Sequence, residues 1–345
     1  MAGSPQDLEA RLWLQRKITG AGLTPRTDEV NNVFGRLGSS QGPWLLIGSH
    51  TDTVPAGGWL DGAYGVVAAL EALRSLVEAG HPAAATVEIV SFHDEEGTGP
   101  NGGLAGSRFF AGGAHVKDLC GYLELHIEQG PRLEAANHDL GVVVGIAGLT
   151  QLTVEVHGQA NHAGTTPFEL RHDSGLVLAR LWVALEDLVR SVDPAMVATI
   201  GSVHLEPGAT NVVSGLARFT IDFRGRSDES LQVAEKQITE LIHGLSAAAG
   251  CTATVTIRHK VPPAEMAPRM VEILSSVCGQ SGRPWTEMWS GAGHDAGVLA
   301  HLVPTAMLFV PSHMGLSHSP REDTPEANLV LGAQVLLEAA LGALT

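Results

Sequence analysis

The chain has 345 residues, and 21 Lys plus Arg against 37 Asp plus Glu leave a formal net charge of −16, which repels nucleic-acid backbones and anionic membrane surfaces. Hydrophobic residues make up 44% and glycines number 41, as in a globular α/β chain with many tight turns. The length favours two domains, and no segment shows the unbroken apolar run of a membrane span.

In chain order, residues from about Gln6 to Ala21 predict an amphipathic helix with Leu8, Leu12, Leu14 and Ile18 on or near one face. The N-terminal stretch has no apolar signal-peptide core, so a cytoplasmic location is the default expectation. Thr27 to Leu37 alternates enough to predict a strand leading to a turn at Gly38 to Gly42. Trp44 to Ile47 is a short apolar run with the pattern of a buried strand, and it ends in a polar burst carrying His50, Asp52 and Asp61 among glycines. Gly65 to Ala79 predicts a helix, and Thr86 to Phe92 a strand that runs into His93-Asp94-Glu95-Glu96. Gly121 to Gly130 alternates with period two and delivers His126 and Gln129 to a third strand end. Ala306 to Val310 is a fourth apolar strand, followed by a loop with His313 and His318.

Between these segments the rhythm changes. Strand Leu152 to Val156, helix Asp173 to Val189, strands Val197 to His204 and Ala217 to Arg226, helix Asp228 to Ala247 and strand Thr254 to Arg258 follow one another. That βαββαβ order is the ferredoxin-like, split βαβ arrangement. It predicts an inserted domain at 150–260, with 1–149 and 261–345 closing into one discontinuous α/β catalytic domain. Cys120, Cys251 and Cys278 are odd in number and widely spaced, which indicates neither a disulfide framework nor a structural zinc site.

A single histidine after a strand is ordinarily a loop residue. Four strand ends bearing His or acid on one chain are better explained as a metal site, because ligands collect at the carboxyl ends of strands in open α/β sheets. The donor set suits two divalent cations, with His50 and His126 on one, Glu96 and His318 on the other and Asp61 bridging. Zinc is the first candidate, and Mn, Co and Ni accept the same donors. Neighbouring Glu95 and Glu96 must point in different directions in an extended backbone, so Glu96 can ligate while Glu95 serves as general acid and base. Metal-assisted hydrolysis is the expected reaction.

Gly97, Gly99 and Gly102 spell GxGxxG after a strand, with Glu124 at a suitable distance for a ribose-binding acid. Pro100 removes an amide where a pyrophosphate needs donors, and the three acids just upstream repel phosphate, so a dinucleotide oxidoreductase is rejected.

The stretches GSHTDTVPAGGWLDGAYG, HDEEG, ELHIEQGP, GQANHAGTTPFELRHDS, GATNVVSGLARFTIDFR, SGAGHDA and FVPSHMGLSHSPRED span nearly the whole chain. Together they resemble the M20-type metallopeptidase superfamily, and within it the hydantoinase/carbamoylase amidase branch, which includes N-carbamoyl-L-amino acid hydrolases, allantoate amidohydrolases and β-ureidopropionases. The resemblance implies a mixed sheet flanked by helices, with the insert acting as a dimerisation and lid domain in a homodimer. It implies His50, Asp61, Glu96, His126 and His318 as metal ligands and Glu95 as the catalytic acid/base. It also implies that His162 reaches a partner's site to stabilise an oxyanion, and that Asn211 and Arg224 hold a substrate carboxylate. Gln129 and His294 are implied as pocket residues, with Asp52 behind His50.

The expected activity is hydrolysis of a C–N bond in an N-carbamoyl or ureido amino acid. The alternatives are an aminoacylase or dipeptidase, a specialised amidase on an aromatic substrate, and a silent binding protein that would have no reason to keep Glu95 with a full ligand set. Two features depart from the resembled family. The insertion Gly97 to Gly103 precedes the Ser-Arg-Phe sequence, and Trp59 and Tyr64 put bulk beside the metal motif, so an altered pocket wall is expected.

Overall fold

The computed structural model describes residues 1–38, 42–100 and 102–345, and divides them into two compact units, Met1–Ile146 with Ala264–Thr345, and Ala147–Pro263. The first unit opens with helix α1 (Pro5–Gly20), whose Ser4 cap accepts the Asp7 amide and whose first position is proline. Its buried face is Asp7, Arg11, Leu14 and Ile18, whereas Leu8 and Leu12 are exposed. The expected leucine face is therefore corrected, because a buried Arg11–Asp7 ion pair at 2.9 Å takes up one turn of the helix.

The single strand expected from Thr27 to Leu37 is instead an antiparallel hairpin of β1 (Thr24–Thr27) and β2 (Val33–Arg36). Asp28 turns the chain between them by accepting the amides of Val30 and Asn32. The turn expected at Gly38 to Gly42 falls largely on 39–41, outside the described residues. The chain continues through β3 (Trp44–His50), α2 (Ala63–Glu78), β4 (Val87–Phe92), α3 (Ala105–Ala111), β5 (Leu119–Ile127), α4 (Arg132–Ala136) and β6 (Leu140–Ile146).

The second unit runs β7 (Gly148–His157), β8 (Asn161–His162), α5 (Ser174–Val192), β9 (Val197–Glu206), β10 (Val212–Val213), β11 (Leu216–Gly225), α6 (Asp228–Ala248) and β12 (Thr252–Val261). Its antiparallel sheet has the order β12-β7-β11-β9, the ferredoxin-like arrangement of βαββαβ. Leu152, Val154 and Val156 on β7 and Ala217, Phe219, Ile221 and Phe223 on β11 alternate inward to pack on α5 and α6. A strand's period of two forces this alternation.

The first unit resumes with β13 (Ala264–Glu265), α7 (Pro268–Gln280), β14 (Trp285–Ser290), α8 (Asp295–Leu299), β15 (Thr305–Val310) and α9 (Glu326–Ala343). Its mixed sheet of nine strands among the described residues has the order β1-β2-β4-β3-β5-β15-β6-β13, with β14 beside β6. Each central strand feeds two cores: Leu45 and Ile47 of β3 join α2, α7 and α9, while Trp44 and Leu46 join Phe92, Phe110 and Phe309 on the other face. Helix α9 is long and apolar enough to cross a membrane by length and composition, and here Val335, Leu336, Ala339 and Ala340 pack into the first of these cores.

β4, β3, β5 and β15 lie side by side and parallel. Their carboxyl ends carry His93 to Glu96, His50, His126 and the loop to His318, and this alignment assembles the site.

Candidate metal centre

Asp61 is the hub. Its Oδ1 lies 3.1 Å from His126 Nε2 and 3.6 Å from His50 Nε2, and its Oδ2 lies 3.1 Å from His318 Nε2. Glu96 Oε2 is 3.3 Å from His318 Nε2. Glu95 turns the other way, with Oε2 3.7 Å from His50 Nε2. His50, Asp61 and His126 form one donor group, and Asp61, Glu96 and His318 form another that shares the aspartate. All six residues belong to the first unit.

Local backbone chemistry aims the imidazoles. His50 Nδ1 is 3.0 Å from the Asp52 carbonyl and His126 Nδ1 is 2.8 Å from the Ile127 carbonyl. Each Nδ1–H is donated there, which leaves the Nε2 lone pairs facing Asp61. Behind His50 stands Asp52, whose backbone carbonyl takes the Nδ1–H, while its nearer carboxylate oxygen is 3.8 Å away. That carboxylate instead accepts the Glu95 and Glu96 amides at 3.3 and 3.2 Å, tying the end of β4 to the end of β3. Gly62 has a φ of 66°, and a Cβ there would stand 2.4 Å from the His50 ring. Only glycine fits.

The residues fit cations. Asp52, Asp61, Glu124, Asp295 and Glu322 are all buried, and the ion pairs formed by Asp61, Glu95 and Glu96 among the described residues are with histidines. Asp61 Oδ1 and Glu96 Oε1 are buried and accept no hydrogen bond among the described residues. Unpartnered carboxylate oxygens beside imidazole lone pairs call for positive charge between them. Burial pushes His126 down, but Asp61 prevails and raises it to about 9. Burial likewise pushes Asp61 up, and His126 and His318 hold it well below the ordinary carboxylate range. Burial first, then the charges of Asp295 and Glu96, push Glu95 well above its ordinary range, which suits a group that must hold a proton.

A third group, Glu124, His126 and His294, also converges, but its donors are already engaged. Glu124 accepts the Ser49 hydroxyl at 2.7 Å and the Ala296 amide at 2.8 Å, and His294 Nε2 is 3.0 Å from Ser290 Oγ. Buried His294 packs edge-on against His126, with ring centroids 4.7 Å apart. Gln129 donates to Asp61 Oδ2 at 2.8 Å. Sequence reasoning assigned no role at the centre to Glu124, Asp295 or Glu322. The period-two position of Glu124 relative to His126 on β5 was the one available signal.

In the second unit, exposed His162 pairs with Val212 between β8 and β10, and its Nδ1 accepts the Gly164 and Thr165 amides. Asn211 accepts the Ala163 amide on its carbonyl at 2.9 Å. Arg224 donates from Nε to Asp222 at 2.9 Å.

One expectation about the surroundings changes. Tyr64 is buried and donates to the Leu329 carbonyl at 2.7 Å. With the exposed Trp59 it lines an apolar cavity of ≈ 330 Å³ between α2 and α9 that no metal ligand enters, so this bulk faces α9 rather than the centre. In the glycine-rich loop, Asp94 accepts the Gly99 amide at 2.8 Å, a donor that a pyrophosphate would need; Asn101 lies outside the described residues.

Residues 46–342 match the family described as Peptidase family M20/M25/M40. The allantoate amidohydrolase of Bacillus subtilis (strain 168) is 34% identical, covering 96% of this chain and 89% of its own. The N-carbamoyl-L-amino-acid amidohydrolase of Paenarthrobacter aurescens is 33% identical over 97% and 90%. The solved structure of a hydantoinase/carbamoylase family amidase from Burkholderia multivorans is similar with a TM-score of 0.92 at 31% identity, covering 99% of this chain and 92% of the other. With the family match extending from β3 into α9, the chain belongs to the M20/M25/M40 peptidase family.

Proposed function

We propose that the protein is a dinuclear metal-dependent amidohydrolase that cleaves a C–N bond in an N-carbamoyl or ureido amino acid. The observation that carries this reading is Asp61, set between His50 and His126 on one side and His318 and Glu96 on the other, with Glu95 Oε2 3.7 Å from His50 Nε2. Held by these five ligands, divalent cations would polarise a carbonyl and lower the pKa of water from about 15.7 towards 7. Glu95 takes a proton from the attacking water as its oxygen bonds to the carbonyl carbon. It then delivers that proton to the leaving nitrogen as the C–N bond breaks.

The names of the amidohydrolase relatives support the substrate class. Carboxylate binding by Asn211 and Arg224, oxyanion stabilisation by His162 from a second copy, and a homodimer belong to the same reading. An arginine fork matches a carboxylate in two hydrogen bonds.

The test is a panel of N-carbamoyl-L-amino acids, allantoate and ureidoglycolate beside matched N-acyl and dipeptide substrates, with Zn or Mn loaded and both ammonia and amino acid followed. Ammonia from a ureido substrate is the expected result. Amino acid without ammonia, from an acyl or peptidyl substrate, would replace this reading with a deacylase or dipeptidase.

A further inference from the structure

Glu322 lies outside the ligand set, yet it joins the two halves of the centre. It is 2% exposed. One oxygen, Oε1, accepts the backbone amides of Leu60 at 2.9 Å and Asp61 at 3.0 Å. The other, Oε2, accepts the hydroxyl of Ser317 at 2.8 Å, and Ser317 immediately precedes His318. The Ser317 hydroxyl has one proton and sits 3.3 Å from Asp61 Oδ2, so its shorter bond to Glu322 holds it in place beside the bridging carboxylate.

The site is built to receive this side chain. A Cβ on Gly58 would stand 2.0 Å from Glu322 Oε1, so glycine there is what lets the carboxylate reach the amides. The loop carrying Glu322 is closed on itself: the His313 amide donates to the Asp323 carbonyl at 2.8 Å, and the Thr324 hydroxyl to the Pro311 carbonyl at 2.9 Å. A buried carboxylate accepting three hydrogen bonds is a strong fastener, because charge-assisted bonds are about twice as strong as neutral ones.

We propose that Glu322 is a positioning residue that locks the Asp61 loop to the His318 loop and thereby sets the spacing at which the second cation is held. This rests on the two-cation reading above. The two sides of Asp61 differ in their other supports. The His126 side is rigid, with His50 and His126 buried to 1% and 0% exposure and their Nδ1 atoms held by the Asp52 and Ile127 backbone carbonyls. The His318 side chain is 48% exposed, and Glu322, Ser317 and Gln129 are what brace it against Asp61. Loss of Glu322 therefore falls on the ion shared by Asp61, Glu96 and His318.

The test compares the full-length wild type, Glu322→Gln and Ser317→Ala, each stripped with a chelator and titrated with Co²⁺ alone, following the visible absorbance and competition with a chromophoric chelator. Thermal unfolding is recorded with and without the ion. In Glu322→Gln the first equivalent should bind as in wild type, and the second about 10- to 100-fold more weakly with a changed absorbance spectrum, the range seen when groups supporting metal ligands are lost. Ser317→Ala should weaken the same equivalent by a smaller factor. Wild-type affinity and spectrum for both equivalents in both variants, with only a lower thermal midpoint in the metal-free protein, would overturn the proposal and make Glu322 a fold staple. If Glu322→Gln does not fold, Ser317→Ala decides by the same criterion. A wild type that takes up fewer than two equivalents would overturn the two-cation reading itself, and the proposal with it.

Discussion

Asp61 Oδ1 and His126 Nε2 stand 3.1 Å apart, with the His126 Nδ1–H held by the Ile127 carbonyl. Two electron-rich atoms held this close in a buried site need a proton or a metal ion between them. Removing metal should therefore cost stability. A bound ligand stabilises by RT ln(1 + [L]/Kd), about 4 kcal/mol at a thousandfold excess over Kd. The expected outcome is a thermal midpoint that falls on chelation and climbs with added Zn or Mn; a midpoint indifferent to both would contradict a metal centre here.

Glu95 should separate catalysis from stability. Glu95→Gln keeps the size of the side chain and removes the titratable carboxyl that sits among Asp295, Glu96 and Glu124. Turnover should drop by roughly 10²- to 10⁴-fold, the usual contribution of a general acid and base, while metal content stays at the wild-type level and the thermal midpoint holds or rises. Metal analysis, a melting curve and an initial rate on one preparation check all three. Wild-type turnover would remove Glu95 from the mechanism.

Asp52→Asn probes the bond between strand ends. The carboxylate accepts two amides, from Glu95 and Glu96, and an amide side chain must turn its NH₂ group towards one of them. Leaving one buried donor unpaired costs roughly 1–3 kcal/mol. A lower denaturant midpoint is expected together with reduced turnover, and with metal retained because the Asp52 backbone carbonyl, not its side chain, orients His50. Metal loss in this variant would show that the carboxylate does hold His50.

Gly62 and Gly80 both have positive φ, 66° and 61°. An added Cβ at Gly80 meets nothing within 4 Å, whereas at Gly62 it stands 2.4 Å from the His50 ring. Gly80→Ala should cost only the left-handed backbone strain of roughly 1–2 kcal/mol and leave metal and activity intact. Gly62→Ala should lose metal as well, since His50 must move. Equal metal content in the two variants would refute this account of Gly62.

The four strand ends are legible in the sequence because a buried parallel strand is a short apolar run and its polar successors stand out against it. Trp44 to His50, Val87 to Glu96, Leu119 to His126 and Thr305 to His318 all read this way. The insert is legible for a related reason: its alternating strands and amphipathic helices have clean periods, and the sheet order β12-β7-β11-β9 is the ferredoxin-like one. Helix α1 misleads because its inward turn carries a paired Asp7 and Arg11, which hydrophobic periodicity scores as surface. The hairpin at Thr24–Arg36 misleads because Asp28 makes a turn inside a stretch that alternates like one strand.

The sequence by itself determined the candidate donor residues, their order and the acid beside them, since strand ends, glycines and residue chemistry are local properties. Only the tertiary structure decided which atoms meet. Asp52 faces two backbone amides rather than His50, Tyr64 faces α9 rather than the centre, and Glu322 reaches the amide of Asp61 across 261 residues. Each of these contacts depends on how separate loops close over one end of the sheet. A side chain's partner there is chosen by distance and by the need to satisfy every buried polar group, and spacing along the chain carries no record of either.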